Sequence, residues 1–174
     1  MLPSLMLAIP AITVDTSACD VTGLASCGGV EVRVPADETW DDLVARAVAE
    51  EWVGLEALTG IPGTVGDAVR RNISRFGASA ADAVTSVRTW DRARAAQQTF
   101  AAVDCGFSTG VSRFVETLHD GSPRFEIMDI AFLFRHGDLT RPIGDAGLAQ
   151  LLGVGLGSRV PLTTVRAALV PPVD

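Results

Sequence analysis

The chain has 174 residues, 48% of them hydrophobic, and a formal net charge of -7. That length and apolar content suit one ordinary domain with a small appendage and exclude global disorder. The acidic balance speaks against a nucleic-acid partner, and all 14 basic residues are arginine, so no lysine is present for Schiff-base chemistry.

Residues 1–12 are apolar but carry Pro3 and Pro10 and lack a basic leader, so they read as an entering segment or first strand rather than a membrane span. A strand ending near Val14 follows, then a small, polar loop or hairpin insertion over residues 16–29. Val30-Glu31-Val32-Arg33-Val34 alternates strictly and predicts a strand with one solvated face. Thr39 reads as a helix cap with Asp42 in capping-box position. Trp40, Leu43, Val44, Ala47 and Val48 make one apolar stripe, with Trp40 as a core anchor.

Next comes Gly54-Leu55-Glu56-Ala57-Leu58-Thr59-Gly60-Ile61-Pro62-Gly63-Thr64-Val65-Gly66, a loop rich in glycine and proline. Such a loop suits either a tight structural turn or a surface laid against a flat or anionic ligand. A short helix is expected over residues 66–71. Arg70, Arg71 and Arg75 crowd around Asn72, an arrangement that serves equally as an anion site or a solvated face.

Residues 84–90 predict a strand, residues 97–100 a second, and residues 115–118 a third. Residues 125–134 form a long β-type run in which Glu126 and Asp129, three apart, fall on opposite faces unless one sits on a bulge. Short helices are expected over residues 143–152 and 161–169, the latter weakly capped by Thr163 or Thr164 and stopped by Pro171-Pro172. The class is α+β.

Cys19, Cys27 and Cys105 lack metal-ligand spacing, so no metal is expected, and a reducing, cytoplasmic setting is the default. His119 and His136 flank turns and read as surface histidines. Ser108, Ser112 and Cys105 have no histidine at a telling spacing. Glu56 is the best single acid because it borders the glycine loop. No GxGxxG or GxxxxGK[ST] element supports a Rossmann or P-loop site.

Taken in order, Trp40-Asp41-Asp42-Leu43-Val44, the loop through Gly60-Ile61-Pro62-Gly63-Thr64-Val65-Gly66, Asn72, Phe76-Gly77, Thr85-Ser86-Val87-Arg88, Asp91-Arg92, Asp104-Cys105-Gly106-Phe107 and Ser112-Arg113-Phe114 resemble the UDP-N-acetylenolpyruvoylglucosamine reductase family in its actinobacterial form. The resemblance runs from about residue 5 to residue 170. It implies the central subdomain of an FAD-binding, vanillyl-alcohol-oxidase-like (PCMH-type) fold, with a mixed or antiparallel sheet and flanking helices. Residues 1–140 would be the flavin-side subdomain and residues 141–174 a short helical extension at the start of the substrate subdomain. In the family, flavin takes hydride from NADPH and passes it to an enolpyruvyl double bond, and residues 60–66 with Asn72 match the flavin-facing loop and its asparagine.

The departures weigh against retained reductase chemistry. Gly110 stands where the family carries an arginine, Thr109 where it has tyrosine and Val115 where it has lysine. Ser74-Arg75 replaces the small pair before Phe76-Gly77. The resemblance implies that the pyrophosphate-binding subdomain would lie before residue 1 and the family's proton-donor serine after residue 174, so neither is expected among these residues. The expectation is therefore a flavin-independent enzyme with no cofactor, FAD being the alternative. It would be a cyclase, isomerase or dehydratase acting on an apolar intermediate of secondary metabolism, such as antibiotic biosynthesis. Glu56, Arg70, Arg75 and Arg113 would be its catalytic groups, and Ile61, Pro62, Val65, Asn72, Phe76 and Phe107 would line its pocket. The expected partners are a small-molecule substrate and a second copy of the chain, a homodimer, with no nucleic acid and no membrane. The other two readings are a non-catalytic binding or scaffold subunit and a surviving FAD-dependent reductase.

Overall fold

Strand β2 (Gly29–Pro35) shows why the sheet has an inner and an outer face. Val30, Val32 and Val34 are buried, while Glu31 and Arg33 alternate with them toward solvent. The computed structural model describes residues 12–16 and 29–170. The expectations for residues 1–11, most of the 16–29 insertion and Pro171-Pro172 lie outside them, as do Cys19 and Cys27.

Among the described residues six strands form one antiparallel sheet. In spatial order they are β1 (Thr13–Asp15), β2, β8 (Phe125–His136), β6 (Val84–Asp91) and β7 (Ala96–Ala101), with β3 (Trp52–Val53) pairing the end of β8. The central strand β8 sets Phe134, Phe132 and Ile130 directly opposite Val30, Val32 and Val34. These six side chains form the sheet side of the main core. Helix α1 (Trp40–Ala49) adds Trp40, Leu43, Val44 and Ala47 to it, and helix α2 (Val65–Arg70) adds Val65, Ala68 and Val69. The predicted α1 stripe is thus buried throughout.

A bulge in β8 changes one expectation. Arg88 opposes Asp129 and Thr89 opposes Ile127, so Met128 is the extra residue. Asp129 and Glu126 consequently oppose Arg88 and Trp90, which lie two apart on β6 and share a face. The two carboxylates stand on the same face, not on opposite ones. They do not act together: Asp129 is held by Arg33 and Arg88, while Glu126 pairs with Arg92 at 3.3 Å.

Residues 115–118 are not a strand. A 3-10 turn spans Arg113–Val115, because the Ser112 hydroxyl accepts from Phe114 N–H and donates to Arg70 O at 2.6 Å. Local side-chain bonds of this kind draw the backbone away from a ladder. Thr39 likewise makes no side-chain cap. Its backbone bridges Thr64 instead, and Trp40 N–H donates to Gly63 O at 3.0 Å.

The C-terminal part carries α3 (Ala146–Leu152), capped by Asp145, and α4 (Leu162–Leu169), preceded by Pro161 with no side-chain cap from Thr163 or Thr164. These helices form a second cluster in which Ile143, Leu148, Val165 and Leu169 pack with Ala57. Leu162 closes a third against Val48 and Val53. Among the described residues no helix is long and apolar enough to cross a membrane.

Candidate functional site

The glycine loop is built on fixed backbone. Val65 N–H donates to Glu38 O and Gly66 N–H to Ala36 O, each at 2.8 Å. A Cβ on Gly66 would lie 3.0 Å from the Ala36 carbonyl oxygen, so any larger residue needs the backbone at Ala36 to give way. Trp40 is fully buried and its Nε1 donates to Leu58 O at 3.2 Å. Asp41 accepts from Gly60 N–H at 2.7 Å, and the Arg166 guanidinium meets the same carboxylate with two bonds of 2.9 Å. The hydrogen bonds from Arg166 hold the Asp41 carboxyl below the usual carboxylate range. Residues 60–63 are therefore tied from below by α1 and α4. Their upper side faces solvent, with Pro62 and Gly63 exposed and Gly63 at φ +116°. Gly63 and Thr64 N–H donate to no group among the described residues.

The expected site residues do not converge on one pocket. Val65 is wholly in the core and Ile61 packs half-buried against it. Asn72, at φ +40° and 5% exposed, is a strut: its Nδ2 donates to Ser108 O at 2.9 Å, and its Oδ1 accepts from Ala81 N–H at 3.0 Å. Phe107 stands edge-on to Phe114. Arg70 is occupied structurally, donating to Phe114 O at 2.6 Å and Phe125 O at 3.2 Å. Arg75 donates to Thr59 O at 3.1 Å and lies over the Phe76 ring. Arg113 is exposed and lies over Phe100. His119 and His136 are exposed.

Two of the expected residues, Glu56 and Phe76, line a cavity of about 340 Å³. Its other walls come from Gly77, Asp82, residues 140–145, Leu148 and Val165. The sequence reading missed this cavity because its walls are far apart in the chain. It also missed Asp41 and Arg166, which nothing in their local patterns links.

Buried Cys105 has a thiol pushed up to about 11 by desolvation, so it is not a nucleophile at neutral pH. Among the described residues no group of three His, Cys, Asp or Glu stands together as a metal site.

No family model matches the chain. Curated relatives do. UDP-N-acetylenolpyruvoylglucosamine reductase of Cutibacterium acnes is 38% identical over 147 residues, covering 84% of this chain and 38% of that protein. The enzyme of the same name from Salinispora arenicola is 40% identical over 141 residues, covering 81% and 38%. The chain belongs to the UDP-N-acetylenolpyruvoylglucosamine reductase family. A crystal structure of UDP-N-acetylenolpyruvylglucosamine reductase (MurB) from Thermus caldophilus is 29% identical, covering 60% of this chain and 36% of that one at a TM-score of 0.49.

The match spans 38% of the length of the first two relatives. Membership in the reductase family brings its fold. The antiparallel sheet with flanking helices is the FAD-binding, vanillyl-alcohol-oxidase-like architecture that the resemblance implies. It also corrects the expectation of a chain without a cofactor, since the family is one of FAD-dependent reductases. The residues present fit the flavin ring: the anchored loop exposes Pro62 and Gly63, and the Gly63 and Thr64 N–H groups have no acceptor among the described residues. Among the described residues there is no glycine-serine-asparagine loop for the dinucleotide's pyrophosphate.

Proposed function

We propose that the chain supplies the flavin-ring side of a UDP-N-acetylenolpyruvoylglucosamine reductase site, with FAD as its redox group and the enolpyruvyl sugar nucleotide as the small-molecule substrate. The observation that carries this reading is the loop at residues 60–64, fixed beneath by Asp41 and Trp40 and open above. When bound, the flavin supplies the hydride. The chain's own residues bind and orient the ring: Gly63 and Thr64 N–H are the donors, Pro62 is the flat contact, and Asn72 holds the neighbouring Ser108 turn in register. The cytoplasmic, homo-oligomeric setting expected from the sequence is retained. Cyclisation or isomerisation of an apolar intermediate loses support, because Glu56, Arg70, Arg75 and Arg113 do not share a cavity.

Flavin fluorescence titrations of the full chain test the proposal. Riboflavin and FAD should both be quenched, with similar affinities, since the ring carries the contact. Asp41→Ala should weaken both by releasing Gly60. Absence of binding by either flavin at millimolar protein would overturn the reading. Flavin binding without NADPH-driven reduction of the sugar nucleotide would favour a binding subunit over a complete reductase.

A further inference from the structure

The 340 Å³ cavity under the 3-10 turn Glu56–Leu58 has walls of unusual chemistry. Its apolar side is made by Ala57, Ile143, Leu148 and Val165, all buried. Three carboxylates line it, Glu56, Asp82 and Asp145, against one cation, Arg141. Asp82 and Asp145 have structural partners, Ser79 and Leu148 N–H. Glu56 differs because it is 7% exposed and only its Oε2 is engaged, by Gly54 N–H at 2.7 Å. Its Oε1 accepts no hydrogen bond among the described residues. No fully buried side-chain oxygen among the described residues lacks a partner, so this oxygen keeps some access to solvent, and Glu56 is one of the residues that line the cavity.

Another wall is a strained aromatic. Strands β4 (Ser74–Arg75) and β5 (Ala78–Ser79) are joined by Phe76 at φ +52° and Gly77 at φ +74°. Asparagine or glycine normally occupies the first of those positions, and a bulky residue there is an outlier. The Phe76 ring edge lies within 3.7 Å of the place a Cβ on Gly147 would take, so the turn is seated against α3. Backbone strain held in place by packing at a cavity mouth is a recurring mark of binding sites.

We propose that this cavity binds a small organic cation, a primary ammonium or guanidinium on a short apolar skeleton, with Glu56 Oε1 as its acceptor and the Phe76 ring as its wall. A largely buried carboxylate whose second oxygen has no protein donor is a ready acceptor, and a cation ending in N–H donors can form a charge-assisted bond with it. The aromatic wall and apolar floor accept the skeleton. A phosphate or a nucleotide would instead meet a lining of net charge -2 from these four groups. The test reads the cavity residues alone and does not depend on the reductase reading.

Heteronuclear NMR titration of the full chain with benzylamine, benzyl alcohol and benzoate provides that test. Benzylamine should shift the backbone resonances of Phe76, Gly77, Ile143 and Leu148. It should bind about tenfold more tightly than benzyl alcohol, and benzoate should leave these residues unmoved. Glu56→Gln should remove about that tenfold preference while leaving benzyl alcohol binding unchanged. Arg141 is exposed, and Arg141→Ala should tighten benzylamine a few-fold by removing the one like charge that lines the cavity. Equal binding of amine and carboxylate, or no benzylamine shift in the cavity residues, would overturn the proposal. Should Glu56→Gln fail to fold, an unchanged or weaker benzylamine affinity in Arg141→Ala would do the same.

Discussion

Asp41 accepts a backbone N–H from the glycine loop and two bonds from Arg166, which lies 125 residues on. Its carboxyl is held below the ordinary carboxylate value by those arginine bonds. A depressed folded value means that the carboxylate's contribution is complete above about pH 4 and fades as pH falls through the lower, folded value. Asp41→Asn should therefore lower stability at pH 7 by about 1 kcal/mol, the partial exposure of both partners keeping it near the low end. The variant should also flatten the acid limb of a urea-midpoint-against-pH curve; a parallel limb would show that another group titrates. Gly110 makes a different residue-scale point. It sits at φ +72° in a closed turn where Ser108 and Val111 exchange backbone bonds of 3.0 and 3.2 Å. Restoring the family's arginine by Gly110→Arg should cost about 1 kcal/mol in a thermal melt, since a side chain in that region is strained.

Among the elements, the entry to α2 shows propensity losing to packing. Alanine at a helical position is favoured over glycine by up to about 1 kcal/mol. At Gly66, however, the new Cβ would lie 3.0 Å from both the Ala36 carbonyl oxygen and its Cβ. Backbone cannot yield as a long side chain does, so Gly66→Ala should destabilise by about 1–3 kcal/mol and weaken the loop's hold on flavin. Calorimetry that found a gain would show that residues 36–38 shift freely. Strand β8 gives the sheet's counterpart. Asp129 is 5% exposed between Arg33 on β2 and Arg88 on β6. Asp129→Ala leaves two guanidinium groups facing each other and should cost about 2 kcal/mol, less than a deeply buried pair because both arginines reach solvent. Chemical denaturation of the single variant and of Asp129→Ala with Arg88→Ala should show part of that cost recovered in the double.

For the whole molecule, the C-terminal helices are part of the framework of the glycine loop. Val165 and Leu169 share a cluster with Ala57, and Leu162 packs with Val48 and Val53. Removing residues 141–174 should expose those contacts, remove the Arg166 tether and lower the melting temperature by well over the roughly 2–4 °C that about 1 kcal/mol gives a chain of this length. A truncated chain that melted unchanged would make the extension dispensable to the fold.

The sequence by itself determined the class, the strands β2, β6 and β8, the buried stripe of α1 and the family. These are written in local periodicity and in ordered motifs, which depend on near neighbours. Only the tertiary structure decided where the polar groups went. Arg70 looked available for an anion because its short-range pattern is a cationic cluster, yet its partners are carbonyls at Phe114 and Phe125. Asn72 looked like a ligand contact and is a strut. Glu126 and Asp129 changed relation through one inserted residue in β8. The cavity at Glu56 draws its walls from segments near residues 56, 76 and 140–148. The physical reason is the same in each case. A side chain's burial preference is encoded locally, whereas its hydrogen-bond partner is chosen by which distant backbone the folded path brings within 3 Å.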